Sequence, residues 1–403
     1  MRNDPRPTDL GDVRVANRAV VLRHVRVHSP CSRADIAAHT GLNKATVSSL
    51  VTELIDRRLV RETGLTEHRV GRPATMLVLD GEPYAALGLE IGTDEVVAVA
   101  VDLGGNRLLT WRRAFAAPSA APGETVHALA ALARRALGRV TGQGRAVLGL
   151  TVGVPGLVDP AGCVPLSPAL GWRDVPLADL LRAALGDPDF GVTVDNAANL
   201  AALAEQRHGV HAGASDLVHL TGGVGIGAGV IADGRLLRGG RGFAGEIGHL
   251  SLDPAGPACA CGQAGCLEAL TGLPAVVRRL LPDTAEGGPV TDFLPELERI
   301  RALAGQDDPT VRAGLTEIGH HLGHGVALLA NLVNPEAVLV GGHFAALGPW
   351  LLPAARAELA ARTLAPEAGG CRLEASTLGG AAAALGGATA ALAGVESGQL
   401  PAR

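Results

Sequence analysis

The chain predicts a two-part architecture, an N-terminal winged helix-turn-helix followed by an α/β body of two lobes. Three observations carry that expectation. Short amphipathic helices separated by a tight turn occupy residues 14–54, and strand-rich blocks of related order recur near 86–152 and 217–236. Three of the six cysteines fall within eight positions, just downstream of a histidine. At 403 residues the chain is too long for one ordinary domain. Apolar residues make up 47%, which supplies a sizeable core and excludes wholesale disorder. The expected division is a head over 1–82 and a body over 83–403. Within the body, lobes are expected at about 83–197 and 198–380, followed by a C-terminal helix over 381–396.

In the head, Val15, Ala19, Leu22 and Val25 recur at helical spacing and predict a first helix over 14–28. Ser32 precedes Arg33-Ala34-Asp35-Ile36-Ala37-Ala38 as the cap of a short second helix. Thr40-Gly41-Leu42 reads as a tight turn, Gly41 supplying the backbone freedom of a sharp bend. Asn43 then caps a third helix with Val47, Leu50, Val51 and Leu54 along one apolar stripe. This arrangement lays the later helix in a DNA major groove. The polar face of the third helix offers Asn43, Lys44, Thr46, Ser48 and Ser49, short groups suited to base edges and phosphates. Residues 59–62 and 74–78 read as two strands around a loop ending Val70-Gly71-Arg72-Pro73. That loop is a wing, with Arg69 and Arg72 placed to reach phosphates or a minor groove.

Charge supports the division. Residues 1–80 hold 13 Lys and Arg against 9 Asp and Glu, a net +4; the remainder holds 22 against 31, a net −9, which sums to the chain's −5. A basic head on an acidic body implies a polyanionic partner for the head alone. A three-helix protein-interaction module is the competing reading, and the Arg-bearing wing argues against it.

From residue 86, the segments 87–91 and 96–101 read as strands around a Gly-Thr-Asp-Glu turn. A strand at 107–115, a helix near 125–137 and a strand at 147–152 follow. Strands at 217–220 and 225–232, with a turn at Asp233-Gly234, repeat the theme. Helices dominate thereafter, with one more strand at 337–340. Gly222-Gly223-Val224-Gly225-Ile226-Gly227-Ala228-Gly229 can expose backbone N–H groups to an anion, or can equally serve close backbone packing.

His249 is followed by Cys259-Ala260-Cys261-Gly262-Gln263-Ala264-Gly265-Cys266. Three thiolates and one imidazole complete a tetrahedral zinc shell with no open position, as a structural site requires. Free buried thiols are the alternative, but cysteines this dense on a Gly-punctuated segment rarely serve as core. Cys31, Cys163 and Cys371 are isolated and read as packing residues.

The pattern Gly245-Glu246-Ile247-Gly248-His249, then C-x-C-G-x-x-G-C-x-E ending at Glu268, resembles the ROK family of sugar kinases and sugar-responsive repressors. The resemblance covers the chain from residue 86 onward. It implies an actin-like, duplicated ribonuclease-H-like fold. It also implies that His249 binds zinc through one ring nitrogen and a sugar hydroxyl through the other, since a metal-bound imidazole has a fixed tautomer and a free N–H. Glu246 and Glu268 are then acceptors for other sugar hydroxyls, and the 222–229 segment faces nucleotide phosphates through Gly223 and Gly225. ROK repressors carry a winged module with G-R-P in its wing; ROK kinases lack it.

The chain departs from an active kinase in three places. Sugar phosphorylation needs a carboxylate to accept the proton of the attacking hydroxyl. The family supplies it as the Asp of N-D-A-N-x-A-A-x-A-E. Here Asn196 precedes Ala197 in that slot, with Asn199 and Glu205 anchoring the alignment; Asp195 lies two positions too early. The first phosphate loop, D-x-G-G-T in the family, is Glu90-Ile91-Gly92-Thr93-Asp94, leaving Gly92 and Thr93 as a remnant. Ala169 stands where the family has a sugar-contacting Asn. Asn196, Glu246, His249 and Glu268 persist, so sugar binding survives where phosphoryl transfer does not.

The expectation is a transcriptional regulator, read as a repressor. Its partners are operator DNA and a small carbohydrate, its cofactor is structural zinc, and it pairs as a homo-oligomer, dimer or tetramer. No apolar run reaches spanning length and no secretory signal precedes the head, which implies a cytoplasmic protein without membrane contact. The rival expectation is an active hexose or N-acetylhexosamine kinase with a fused DNA-binding head. A third is a regulator of a non-sugar ligand, since Ala169 and Ala197 both enlarge and de-polarise the pocket.

Overall fold

The computed structural model describes residues 9–65, 75–287, 293–364, 366–368 and 370–401. In the head, α1 (Leu10–His28) starts earlier than its apolar spacing indicates, because Asp9 and Asp12 form a reciprocal capping box. After β1 (Cys31–Ser32), Ser32 and Asp35 cap α2 (Arg33–Thr40) in the same way, and left-handed Gly41 ends it. Asn43 accepts from Thr46 N and opens α3 (Lys44–Asp56), which buries Val47, Leu50, Val51 and Leu54. β2 (Val60–Leu65) and β3 (Thr75–Leu79) pair antiparallel as the wing. β1 adds to the free edge of β3, a third strand too short for any alternation to be read from sequence. Glu53 of α3 receives Arg14 at 2.7 Å and Arg18 at 3.0 Å from α1, which fixes the angle at which α3 is carried. Arg69 and Arg72 lie outside the described residues.

The first body sheet is a meander of β4 (Tyr84–Ile91), β5 (Glu95–Asp102) and β6 (Arg107–Ala114), covered by α4 (Pro122–Thr141). β7 (Ala146–Val154) runs parallel to β4. A small hairpin of β8 (Val164–Ser167) and β9 (Trp172–Val175) and a short α5 (Leu177–Leu185) lead to β10 (Gly191–Asn196), parallel to β7. The order is β10-β7-β4-β5-β6. α6 (Ala197–His208) then crosses to the second sheet, where β11 (Leu217–Gly222), β12 (Ile226–Ala232) and β13 (Arg235–Leu236) form a second meander. After α7 (Leu267–Thr271), α8 (Leu273–Leu280), α9 (Leu294–Gly305) and the long α10 (Pro309–Val333), β14 (Ala337–Gly342) joins parallel to β11. α11 (His343–Ala346) and α12 (Gly348–Arg362) precede β15 (Arg372–Ala375), parallel to β14. The order β13-β12-β11-β14-β15 repeats that of the first sheet. The sequence reading named neither β10 nor β15. Both are short edge strands, exposed at alternate or terminal positions, so neither presents a sustained apolar run.

The chain closes with α13 (Ala382–Ala391) and α14 (Ala393–Glu396), two helices where one was expected. α13 is no appendage: it lies across β4, β5 and β7 and packs against α6, which in turn lies on β11 and β12. The middle of the body is therefore sheet, α13, α6, sheet. Glycines permit this spacing. A Cβ on Gly88 would overlap Ala384 O, one on Gly386 would overlap Leu200 O, and one on Gly229 would overlap Ala198 O. The Ala/Gly composition of this helix thus reflects burial between lobes. Among the described residues no helix is long and apolar enough to cross a membrane. One continuous apolar cluster joins Val21 and Leu77 of the head to Val97 of the first sheet and to Leu385 and Val395 at the chain's end.

Candidate functional site

On α3 the exposed face carries Lys44, Ser48 and Ser49, with Thr46 half-buried. Asn43 spends its side-chain oxygen on Thr46 N at 2.8 Å, so its first task is to start the helix. Short polar groups on the first turns of a helix whose apolar stripe is buried can approach a polyanion closely.

In the body, a 3₁₀ turn at Ile247–His249 presents Glu246 and His249 together. Cys259 Sγ lies 3.8 Å from His249 Nδ1, Cys261 Sγ lies 3.7 Å from Cys266 Sγ, and all four donor atoms fall within 4.8 Å of one another. Gly262 and Gly265 take positive φ (92° and 63°) to bend the loop back, and a Cβ on Gly265 would overlap Asp253 O. Burial pushes the Cys266 thiol up to about 12 and raises that of Cys259, while the Gln263 backbone N–H holds that of Cys261 down. A cation here would offset that burial and hold the ligands as thiolates. The donor set fits a closed four-ligand metal centre, and Nδ1 is the histidine nitrogen that faces it.

Glu268 opens α7 beside this loop. Its Oε2 accepts from Ile226 N at 2.9 Å, and its Oε1 lies 3.9 Å from Cys259 Sγ. A Cβ on Gly225 would come within 3.0 Å of that Oε2, so Gly225 admits the carboxylate. Burial raises the Glu246 carboxyl above its usual range, opposed by neighbouring His249. The structure thus brings Glu246, His249 and Glu268 into one cluster. Gly223, in the same β11–β12 turn, bonds Gly225 O through its N–H at 2.9 Å. Gly227 and Gly229, by contrast, face α6.

Across the lobes, Asn196 caps α6: its Oδ1 accepts from Ala198 N and Asn199 N, and its Nδ2 donates to Gly156 O at 2.8 Å. Ala197 is the first residue of α6 and offers no proton acceptor. Asp195 is engaged elsewhere. Its Oδ1 accepts from Asn196 N and Asn199 Nδ2, and its Oδ2 pairs with Arg238 at 2.7 Å. Gly92 and Thr93 form the β4–β5 turn, where Gly92 N donates to Glu95 O. The acid leading that loop, Glu90, is half-buried beside α13. Ala384 N donates to it, and burial raises its carboxyl to about 7.

Sequence reading missed the links that join these parts. Arg207, in the last turn of α6, and Arg26 of α1 both reach Glu396 Oε1, at 2.6 Å and 2.9 Å. The three residues are far apart in sequence, so no local spacing flags them. A groove of about 1500 Å³ separates head from body here, with Arg23 and His28 on one wall and Asp195 and Arg238 on the other.

Comparison with known proteins agrees with this arrangement. The ROK family pattern matches residues 86–393 and the MarR family pattern matches residues 16–69. The chain is 30% identical over 369 residues to the xylose repressor of Caldicellulosiruptor bescii, covering 90% of this chain and 92% of the relative. It is 29% identical over 349 residues to the transcriptional dual regulator NagC of Escherichia coli, covering 85% and 84%. A crystal structure of a ROK family transcriptional regulator, described as a homologue of the E. coli MLC protein, superposes with a TM-score of 0.81 at 26% identity, over 96% of this chain and 98% of that one. A ROK glucokinase from Streptomyces griseus, solved with glucose and AMPPNP, superposes at 0.62 and 30% identity over 76% of this chain and 98% of that one. A kinase-like body matched nearly from end to end by a lone kinase, under a head that a regulator also possesses, leaves one assignment: this chain belongs to the ROK family, as a regulator with a MarR-type winged-helix head.

Proposed function

We propose that the protein is a sugar-responsive transcriptional repressor whose kinase-derived body detects a carbohydrate without phosphorylating it. One observation carries the reading: the chain couples an exposed α3 to a body in which Ala197 occupies the proton-acceptor slot. Glu90, held by Ala384 N, and the engaged Asp195 leave no carboxylate at that slot. An active hexose or N-acetylhexosamine kinase would need one.

His249, Cys259, Cys261 and Cys266 would hold a structural zinc ion, which would brace the loop and fix the imidazole tautomer. With Nδ1 facing the Cys259 sulfur, His249 Nε2–H would be free to donate to a sugar hydroxyl, while Glu246 and Glu268 accept from others. Asn196 stands at the start of α6 on the opposite side. Ligand between these groups biases the angle between lobes, and α6 carries that bias to Glu396 and thence to Arg26 of the head. Lys44, Ser48 and Ser49 contact operator DNA, joined by Arg69 and Arg72 from the wing. Two heads reading half-sites roughly 34–36 Å apart require a homodimer or a larger even assembly. The protein works in the cytoplasm.

Named relatives suggest the sugars to try first: the C. bescii relative is called a xylose repressor, and others N-acetylglucosamine repressors. The test is fluorescence anisotropy on duplexes selected from a random pool, with and without xylose, N-acetylglucosamine and glucose. The expected result is tight binding released by one sugar. Release by none, together with sugar-dependent ATP turnover in a coupled assay, would favour the kinase.

A further inference from the structure

A cluster of three histidines lies in the head, far in sequence from the cysteines. His24 and His28 stand one turn apart on α1, on the same face. His39, in the last turn of α2, packs against both. The ring centroids are 4.5 Å apart for His24 and His28, 5.3 Å for His24 and His39, and 5.9 Å for His28 and His39. Metal–nitrogen bonds of about 2.1 Å put imidazoles that share one ion roughly 4.5–5.5 Å apart by centroid. Two of the three separations fall in that span. The widest joins two exposed rings, so closing it displaces no core side chain.

Two further observations point to a ligand. His24 is 7% exposed, and its Nε2 is buried without a hydrogen-bond partner. Such an orphaned polar atom is costly unless something satisfies it. His39 Nδ1 lies 2.8 Å from Asp35 O, a contact that places the proton on Nδ1 and leaves Nε2 a free lone pair. A backbone carbonyl holding one imidazole nitrogen is the usual support for a metal-binding histidine.

We propose that His24, His28 and His39 form a second metal site, for a divalent ion of the imidazole-preferring class such as zinc. An all-nitrogen site with one position left for water suits that class. Bound there, the ion ties the last turn of α1 to the last turn of α2 and stiffens the frame that carries α3. The site stands apart from the Cys/His centre and does not depend on which sugar the body senses.

Equilibrium dialysis of tag-free full-length protein against zinc, with metal counted by mass spectrometry, tests this. Two ions per chain are expected at low micromolar free zinc. His28→Ala and His39→Ala, at exposed positions, each reduce this to one, with affinity for the second ion falling at least about tenfold. Cobalt substitution supplies the control: thiolate-to-metal absorption from the cysteine centre stays unchanged in both variants. One ion per chain in the unmodified protein, or two in either variant, would overturn the proposal.

Discussion

Arg26, on the first helix, donates to Glu396 at 2.9 Å across 370 positions of sequence, and Arg207 reaches the same carboxylate oxygen. One acidic side chain at the end of the chain thus joins the head to the rod that begins at the cleft. Both pairs are partly shielded from solvent, with Arg207 only 14% exposed. Pairs so placed are screened less by salt than fully exposed ones. Glu396→Gln keeps the size and loses the charge. Operator affinity without sugar is expected to change little, while the sugar-induced drop in affinity shrinks by about fivefold or more, the lower end of typical coupling energies. Anisotropy titrations with and without sugar measure both; an unchanged sugar response sinks the relay.

Removing metal from the Cys/His centre separates sensing from DNA binding. Cys266→Ser leaves three ligands and a fully buried hydroxyl. Loss of the loop is expected to abolish sugar binding by calorimetry, since His249 and Glu268 lose their support. Operator binding persists, because the head's core is built from Val47, Leu50 and Leu77 and draws nothing from that loop.

Adding the missing acid does not restore catalysis. Ala197→Asp would place a carboxylate at the first position of α6, but the phosphate loop still lacks its second glycine, and Glu90 remains bound to Ala384 N. No ATP turnover above background is expected with any hexose in a coupled assay. Turnover at ordinary kinase rates would mean that Ala197 alone had silenced the enzyme.

On α3, two neighbours separate by their jobs. Asn43→Ala removes a cap and costs about 1 kcal/mol of stability, read by thermal melting. Lys44→Ala leaves stability within error but lowers the slope of log affinity against log salt by about one, the signature of a single phosphate contact. A salt slope unmoved by Lys44→Ala would take α3 out of the interface.

Acid sensitivity follows from His343. It is fully buried, its Nε2 bonds Thr271 O at 2.9 Å, and burial lowers its pKa from 6.5 to about 4. The folded state therefore keeps it neutral, while the unfolded chain takes up a proton below 6.5. Its contribution is intact above pH 6.5 and declines as pH falls toward 4, by about 3 kcal/mol in all. Urea titrations of the unmodified chain and of His343→Asn between pH 7 and 4 measure that loss as the difference between them. Glu90, raised to about 7, shifts stability the other way over this range, so an identical pH dependence in the unmodified chain and in His343→Asn would contradict the claim.

Much of this was readable before any coordinates. Capping residues, the Gly41 turn and the stripe from Val47 to Leu54 are local signals, because a helix is decided by neighbours three and four positions apart. The Cys/His cluster was equally legible, since a metal centre on one loop needs its ligands close in sequence. Ala197 could be located by alignment to flanking residues that pack. What the amino-acid order could not reveal was which backbone surfaces meet. Gly88, Gly229 and Gly386 look alike on paper, yet each is required by a different long-range approach. Asn196, expected at the sugar, also holds the end of α6, and Glu396 gains its meaning only when α1 and α6 arrive beside it. Local hydrogen bonding and spacing determined the elements and the metal loop; burial between non-adjacent segments decided how the sensing body and the reading head are joined.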